Sequence, residues 1–226
     1  MRWYAKTRFY HIVHLTAWQI YPCSRTFNAI HPQYRPTALQ RQSNYPRTID
    51  WIPFQSVRDR LIQLHAANPL IDQIVCDAVS SYVVETSMTD LIIGAPAAQV
   101  YIRVTDLILN IDVAPPSSGR GGTSAALPAP DIATLFSSPA CSKAVFDLLN
   151  VDRGVSNYKV DPAFFHKYPE LYDPQFDIVA TGISLRPDVQ HRLSCPKPLT
   201  PQIFQTYCCF LDFSYDASSY ANAFSN

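Results

Sequence analysis

The densest run of side chains able to do chemistry is "DPAFFHKYPELYDPQFD", from Asp161 to Asp177. It gathers Asp161, His166, Tyr168, Glu170, Asp173 and Asp177, residue types that bind divalent metals or transfer protons. Pro169 falls between His166 and Glu170 and interrupts the one-turn spacing that a helical ligand pair needs. Asp161, directly before Pro162, stands where a helix N-cap stands, and Asp173-Pro174 reads as a turn starter. The spacing therefore favours capping and turn formation. The alternative is an enzyme of secondary metabolism in which Asp161, His166, Tyr168 or Asp173 acts as an acid–base group in a pocket between helices. That reading requires the side chains to converge on one concave surface.

Other chemistry-bearing types are poorly placed. "SGRGGTS" offers Gly119, Gly121 and Gly122 to a phosphate, but it lacks the lysine followed by Ser or Thr, and no strand pattern leads into it. His11 and His14 have no further ligand nearby, whereas zinc takes four. Cys208 and Cys209 are adjacent and would face different sides of a helix, as small hydrophobes. The six cysteines follow no small-scaffold spacing and read as reduced thiols. No metal site and no cofactor are expected.

Composition sets the frame. Of 226 residues, 47% are hydrophobic and 16% charged, so most of the chain should fold. The net charge of zero is a sum of unlike parts: residues 1–60 carry nine Lys or Arg against two acids, and residues 61–150 three against eight. The first forty-nine residues contain no acid at all. Residues 1–34, basic and aromatic, are expected to form a poorly ordered leader. No apolar run is long enough for a membrane-spanning helix, and no membrane partner is expected. Neither a basic-region face nor leucine heptads occur in these residues, so specific DNA binding by this chain alone is not expected.

Proline marks the elements that would position these residues, because it suits the first helical turn and breaks later ones. Asn68-Pro69, Ser138-Pro139, Asp161-Pro162 and Thr200-Pro201 each pair a capping side chain with proline. After Pro53, the residues Phe54, Val57, Leu61 and Leu64 share a helical stripe. After Pro69, so do Ile71, Ile74, Val75, Ala78, Val79 and Tyr82. A third helix is expected after Pro96 from Val100, Val104, Leu107, Ile108 and Ile111, and it should be the most buried. Further helices are expected around Cys141–Leu149, over Pro162–Tyr168, after Pro187 and over Pro201–Phe213. Residues 112–130, rich in Gly and Pro, read as a flexible insertion. "FDIVATGIS" alone tempts as a strand. The expected fold is all-α: an irregular domain of six or seven helices over residues 35–213, with long Pro-rich connections and a tail at 214–226.

Two stretches carry a resemblance. "RPTALQRQSNYPRTIDWIPFQSVRDRLI", Arg35 to Ile62, holds Pro36, Thr37 and Gln40, then Ile49 to Phe54, then Arg58 to Ile62. "DPAFFHKYPELYDPQFDIVATGISLRPDV", Asp161 to Val189, holds the second set. Together they resemble a fungal domain of uncharacterised function found C-terminal to the basic-leucine-zipper region of predicted fungal transcription factors. The resemblance implies a non-catalytic regulatory or protein-interaction domain with a protein partner, in the nucleus or cytoplasm. It implies motif or interaction roles for Asp50, Trp51, Pro53, Phe54, Arg58, Asp59 and Arg60. The second stretch adds Asp161, Phe164, Phe165, Tyr168, Pro169, Glu170, Tyr172, Arg186 and Pro187. Asp50 is expected to cap the turn before Pro53, and Arg58 to reach Asp72 or Asp77 on the next helix.

Overall fold

The computed structural model describes residues 2–113, 127–152, 154–188, 200–202 and 205. Residues 1–193 make one unit and residues 194–226 a second. Nearly all of the second unit, with the helix expected over 201–213 and the tail, lies outside the described residues. So do the centre of the 112–130 insertion and most of the segment after Pro187.

The all-α expectation is overturned. Among the described residues, nine α-helices accompany a four-stranded mixed sheet. The helices are α1 (Arg2–Ile20), α2 (Ser24–Ala29), α3 (Ala38–Gln42), α4 (Gln55–His65), α5 (Ile71–Ser80), α6 (Val104–Val113), α7 (Ile132–Ser137), α8 (Pro139–Leu148) and α9 (Pro162–Lys167). The strands are β1 (Tyr82–Ser87), β2 (Gln99–Arg103), β3 (Tyr158–Val160) and β4 (Ile183–Leu185), in the order β3-β1-β2-β4. β1 is antiparallel to both β2 and β3, and β4 runs parallel to β2.

The third helical pattern misleads for a physical reason. β2 contributes Val100 and Ile102 to the core at a period of two, and α6 starts on the next residue after the strand with Val104, Leu107 and Ile108. The joined pattern imitates a single helix from Pro96, a residue that lies in the loop before β2. β-branched and aromatic residues decide the outcome: "YVVETS" and "QVYIR" fit a pleated surface better than a helix. "FDIVATGIS" does hold part of β4, and its partner is β2.

Register organises the core. Val84 pairs with both Ile102 and Tyr158, and Ile102 with Leu185, so one row crosses all four strands. All four side chains are buried and join the main cluster with residues of α4 to α9. Val83, Tyr101 and Ala180 form a small cluster of their own, as alternation along a strand requires. Each fully buried aliphatic side chain in such a core contributes about 1.5–3 kcal/mol.

The helices near Pro53, Pro69, Pro139 and Pro162 form where the sequence places them. Ser138 accepts from Cys141 N at 3.3 Å and Asp161 from Ala163 N at 3.0 Å, as caps do. Asn68 differs: its Oδ1 accepts from Leu70 N, an Asx turn, and α5 starts later, at Ile71. Part of the first 34 residues packs against later segments. α1 buries Arg8, His11 and Leu15, and Leu15 packs with Ile30, Tyr34 and Val155 in a second cluster.

Candidate functional site: a buried polar hub beneath a groove

Thr37 caps α3 by a reciprocal box. Its Oγ1 accepts from Gln40 N at 3.2 Å, and its own N–H donates to Gln40 Oε1 at 3.0 Å. That box fixes the Gln40 side chain, which is buried and faces two ways. Gln40 Nε2 donates to Asp50 Oδ1 at 2.6 Å, while Gln40 Oε1 accepts from Arg58 Nε at 2.9 Å. An amide with a donor at one end and an acceptor at the other thus links an anion to a cation that do not touch.

Arg58 is fully buried on α4. Its remaining N–H groups donate to Gln33 O at 2.8 Å, Ile52 O at 2.6 Å and Arg35 O at 2.8 Å. Burial works to lower its pKa, against the favourable charge of Asp50 and Asp59. Asp50, 3% exposed, also accepts from Tyr45 Oη at 2.7 Å and Gln19 Nε2 at 2.8 Å, and Arg47 stands 3.6 Å away. Burial, with help from Asp50, pushes the Tyr45 phenol up to about 12. Arg58 therefore does not reach Asp72 or Asp77 as expected. Asp77 instead accepts from Lys167 Nζ at 2.5 Å and Tyr168 Oη at 2.7 Å. Asp50 serves as the acceptor at the centre of the hub, a larger role than a turn cap.

Above the hub lies an open groove of about 590 Å³, lined by Pro36, Thr37, Ala38, Gln55, Ser56, Asp59, Arg60, Gln63, Asp173 and Phe176. Thr37 Oγ1 donates to Asp59 Oδ1 at 2.5 Å, tying the α3 cap to α4 across its floor. Arg60 Nη1 donates to Glu170 O at 3.1 Å, and Nη2 stands 3.5 Å from Asp173. His65 Nε2 meets Glu170 Oε1 at 2.9 Å. The two stretches that carry the resemblance, about a hundred residues apart in the chain, thus meet along α4. The rim combines charges of both signs with the amide of exposed Gln63 and with Phe176, which is 46% exposed.

The remaining motif residues are dispersed. Pro53 and Phe54 are buried, Phe54 edge-on to Tyr82 at 5.6 Å, and Trp51 is half-buried. Phe164, Phe165, Tyr168 and Tyr172 form a chain of ring contacts beside α9. Asp161 caps α9 and accepts from Arg186 at 2.9 Å and Arg103 at 3.4 Å. Pro187 is half-buried and Pro169 exposed. Of the acid–base candidates, Asp161 is held by two arginines, Tyr168 by Asp77 and Asp173 by Arg60, while His166 is exposed. They are tied to separate partners. Among the described residues, no group of three His, Cys, Asp or Glu is placed to hold a metal ion.

Sequence reasoning missed Tyr45, Gln19 and Arg8. The Thr37-x-x-Gln40 spacing is a legible capping box, but nothing local announces that Gln40 continues to Asp50 and Arg58. Arg8 lies 3.7 Å from the Tyr158 ring centroid and 5.2 Å from that of Tyr82. Burial raises both phenols, Tyr158 to about 12, with Arg8 acting the other way.

Residues 13–103 match the family model of a domain of unknown function (DUF3425). The match runs from within α1 to the end of β2 and contains the whole of the hub. It begins upstream of Arg35, where the resemblance was placed, and stops short of Asp161–Val189. No curated protein and no solved structure matches the chain. No helix among the described residues is long and apolar enough to cross a membrane.

Proposed function

We propose that the chain is a non-catalytic regulatory or protein-interaction domain, similar to the C-terminal part of fungal basic-leucine-zipper regulators and working in the nucleus or cytoplasm. One observation carries the reading. The motif residues best equipped for chemistry, Asp50, Arg58 and Asp161, are buried and occupied in holding segments together, and the hub that Asp50 and Arg58 build supports a groove lined by charged, polar and apolar side chains, as a polypeptide partner would need. The match to a domain of unknown function is consistent with this and names no activity. Specific DNA recognition would come from another protein or another segment.

The test is a reporter assay in a fungal host, with the chain fused to a heterologous DNA-binding domain. Reporter output should change several-fold relative to the DNA-binding domain alone. Gln63→Ala with Phe176→Ala, at the groove rim, should remove the change while thermal unfolding stays the same. An unchanged reporter would sink the proposal, as would purified chain shifting a defined duplex with strong sequence preference.

A further inference from the structure

The described lining of the groove over the hub holds two carboxylates, Asp59 and Asp173, and one guanidinium, that of Arg60. Arg60 is already engaged, with Glu170 O and with Asp173. Asp59 is not matched in this way. The Thr37 hydroxyl donates to its Oδ1, and among the described residues no Lys or Arg forms an ion pair with it. Arg58, its neighbour in sequence, turns the other way, into the hub, where Gln40 links it to Asp50. One turn earlier on α4 stands Ser56, 7% exposed, which lines the groove and whose hydroxyl has no hydrogen-bond partner among the described residues. A buried hydroxyl left without a partner is uncommon and calls for a reason.

We propose that the groove binds an extended segment of a partner protein, with a lysine or arginine side chain of that segment set on Asp59. Charge favours a cation: an acidic or phosphorylated segment would meet an unmatched carboxylate, whereas a basic one completes the pair. Length favours an extended chain. From Gln55 to Gln63 the floor runs along α4 for about 12 Å, which an extended chain covers with about four residues. Gln55 and Gln63, both exposed, stand at the two ends of that run with Ser56 beside the first, and their amides and hydroxyl can pair with backbone N–H and C=O groups. Alternation favours a basic residue next to an apolar one. Asp59 is tied to the wall that carries Thr37, while Phe176, 46% exposed, belongs with Asp173 to the other wall. Successive side chains of an extended chain point to opposite sides, so a cation and an apolar neighbour reach the two walls together. A free polyamine would satisfy Asp59 and leave Phe176 uncovered.

This rests on the interaction-domain reading and supplies its partner chemistry. The test uses the full chain and fluorescence anisotropy with two labelled peptides of alternating composition, one of lysine and valine, the other of glutamate and valine. The lysine peptide should bind, more weakly as salt rises. Asp59→Asn, which keeps an acceptor for the Thr37 hydroxyl, should weaken binding by about tenfold or more. Gln63→Lys, on the exposed rim, should weaken it as well without touching the hub. Asp72→Asn, which removes an exposed carboxylate on α5, should leave binding unchanged, and unfolding curves should show all variants folded. The proposal is overturned if the lysine peptide fails to bind, if the glutamate peptide binds equally, if neither Asp59→Asn nor Gln63→Lys weakens binding, or if Asp72→Asn weakens it as much. Spermidine that binds with the peptide's affinity and displaces it would also overturn it, in favour of a free polyamine. The reporter assay separates this contact from the reading beneath it. A response lost in Gln63→Ala with Phe176→Ala but kept in Asp59→Asn would overturn the contact and leave the interaction domain standing. An unchanged reporter would sink the interaction domain whatever the peptides do.

Discussion

Asp50 and Asp161 are equally buried, each 3% exposed and each facing arginine, yet their surroundings differ in kind. Asp50 receives neutral donors from Gln40, Tyr45 and Gln19, and its link to the buried cation Arg58 runs through an amide. Asp161 receives the α9 N-terminus and two arginines directly, and those arginine side chains remain 20% and 38% exposed. The first arrangement ties Gln33, Arg35, Ile52 and α3 to one side chain on α4, so it fixes the course of a whole segment. The second joins the end of β2, the start of α9 and the residue after β4, which clamps one end of the sheet from edge strand to edge strand. A buried charge satisfied by backbone carbonyls organises the chain around it; one satisfied by half-exposed partners fastens pieces that are already folded.

The largest effect should follow from breaking the first arrangement. Arg58→Met leaves three carbonyls without the Arg58 donors and removes one of the two donors to Gln40 Oε1, and urea unfolding should show a loss of about 3–5 kcal/mol. Asp161→Ala removes a cap and two partly screened ion pairs, and the expected loss is about 1–3 kcal/mol in the same assay. A reversed order would mean that the sheet clamp, and not the hub, organises the domain.

The smallest expected effects are pH-dependent. At Asp77, burial alone would raise the pKa, but hydrogen bonds from Lys167, Tyr168 and Gln73 outweigh it and hold the carboxyl below its ordinary 3.8. The stability this contributes is present above that ordinary value and disappears as pH falls through the lower folded one. Asp77→Asn should therefore flatten the acid limb of a thermal-unfolding profile. Tyr45 and Tyr158, raised by burial to about 12, act in the opposite sense. Their contribution is intact below the ordinary 10.0 and is lost as pH rises through about 12. Tyr45→Phe should reduce the alkaline loss, read by tyrosinate absorbance together with circular dichroism.

Much of the helical frame was legible, since proline with a capping residue specifies a helix start within a few residues. Ser138-Pro139 and Asp161-Pro162 behave as such pairs do. The sheet was not legible, because β2 runs into α6 without a break and a period of two then merges with one of 3.6. Val83, Val84 and Tyr82 follow α5 with only Ser81 between, so Tyr82 read as the last residue of a helical stripe. The hub was half legible. Its members lie within about forty residues of one another, but which polar residue turns inward depends on tertiary contacts that no local spacing encodes. Arg58 on a polar-looking helix face gave no sign of full burial, and the expected partners Asp72 and Asp77 sat at plausible distances along the chain.

The central claim is that Gln40 couples Asp50 to Arg58 within a single cooperative network. A double-mutant cycle on urea unfolding, with Asp50→Ala, Arg58→Met and the pair, addresses it directly. The two losses should fall short of additivity by about 1–3 kcal/mol, as contacts in one hydrogen-bonded network do. Losses that add to within about 0.5 kcal/mol would mean that the two charges are held independently, and the hub would be two separate sites.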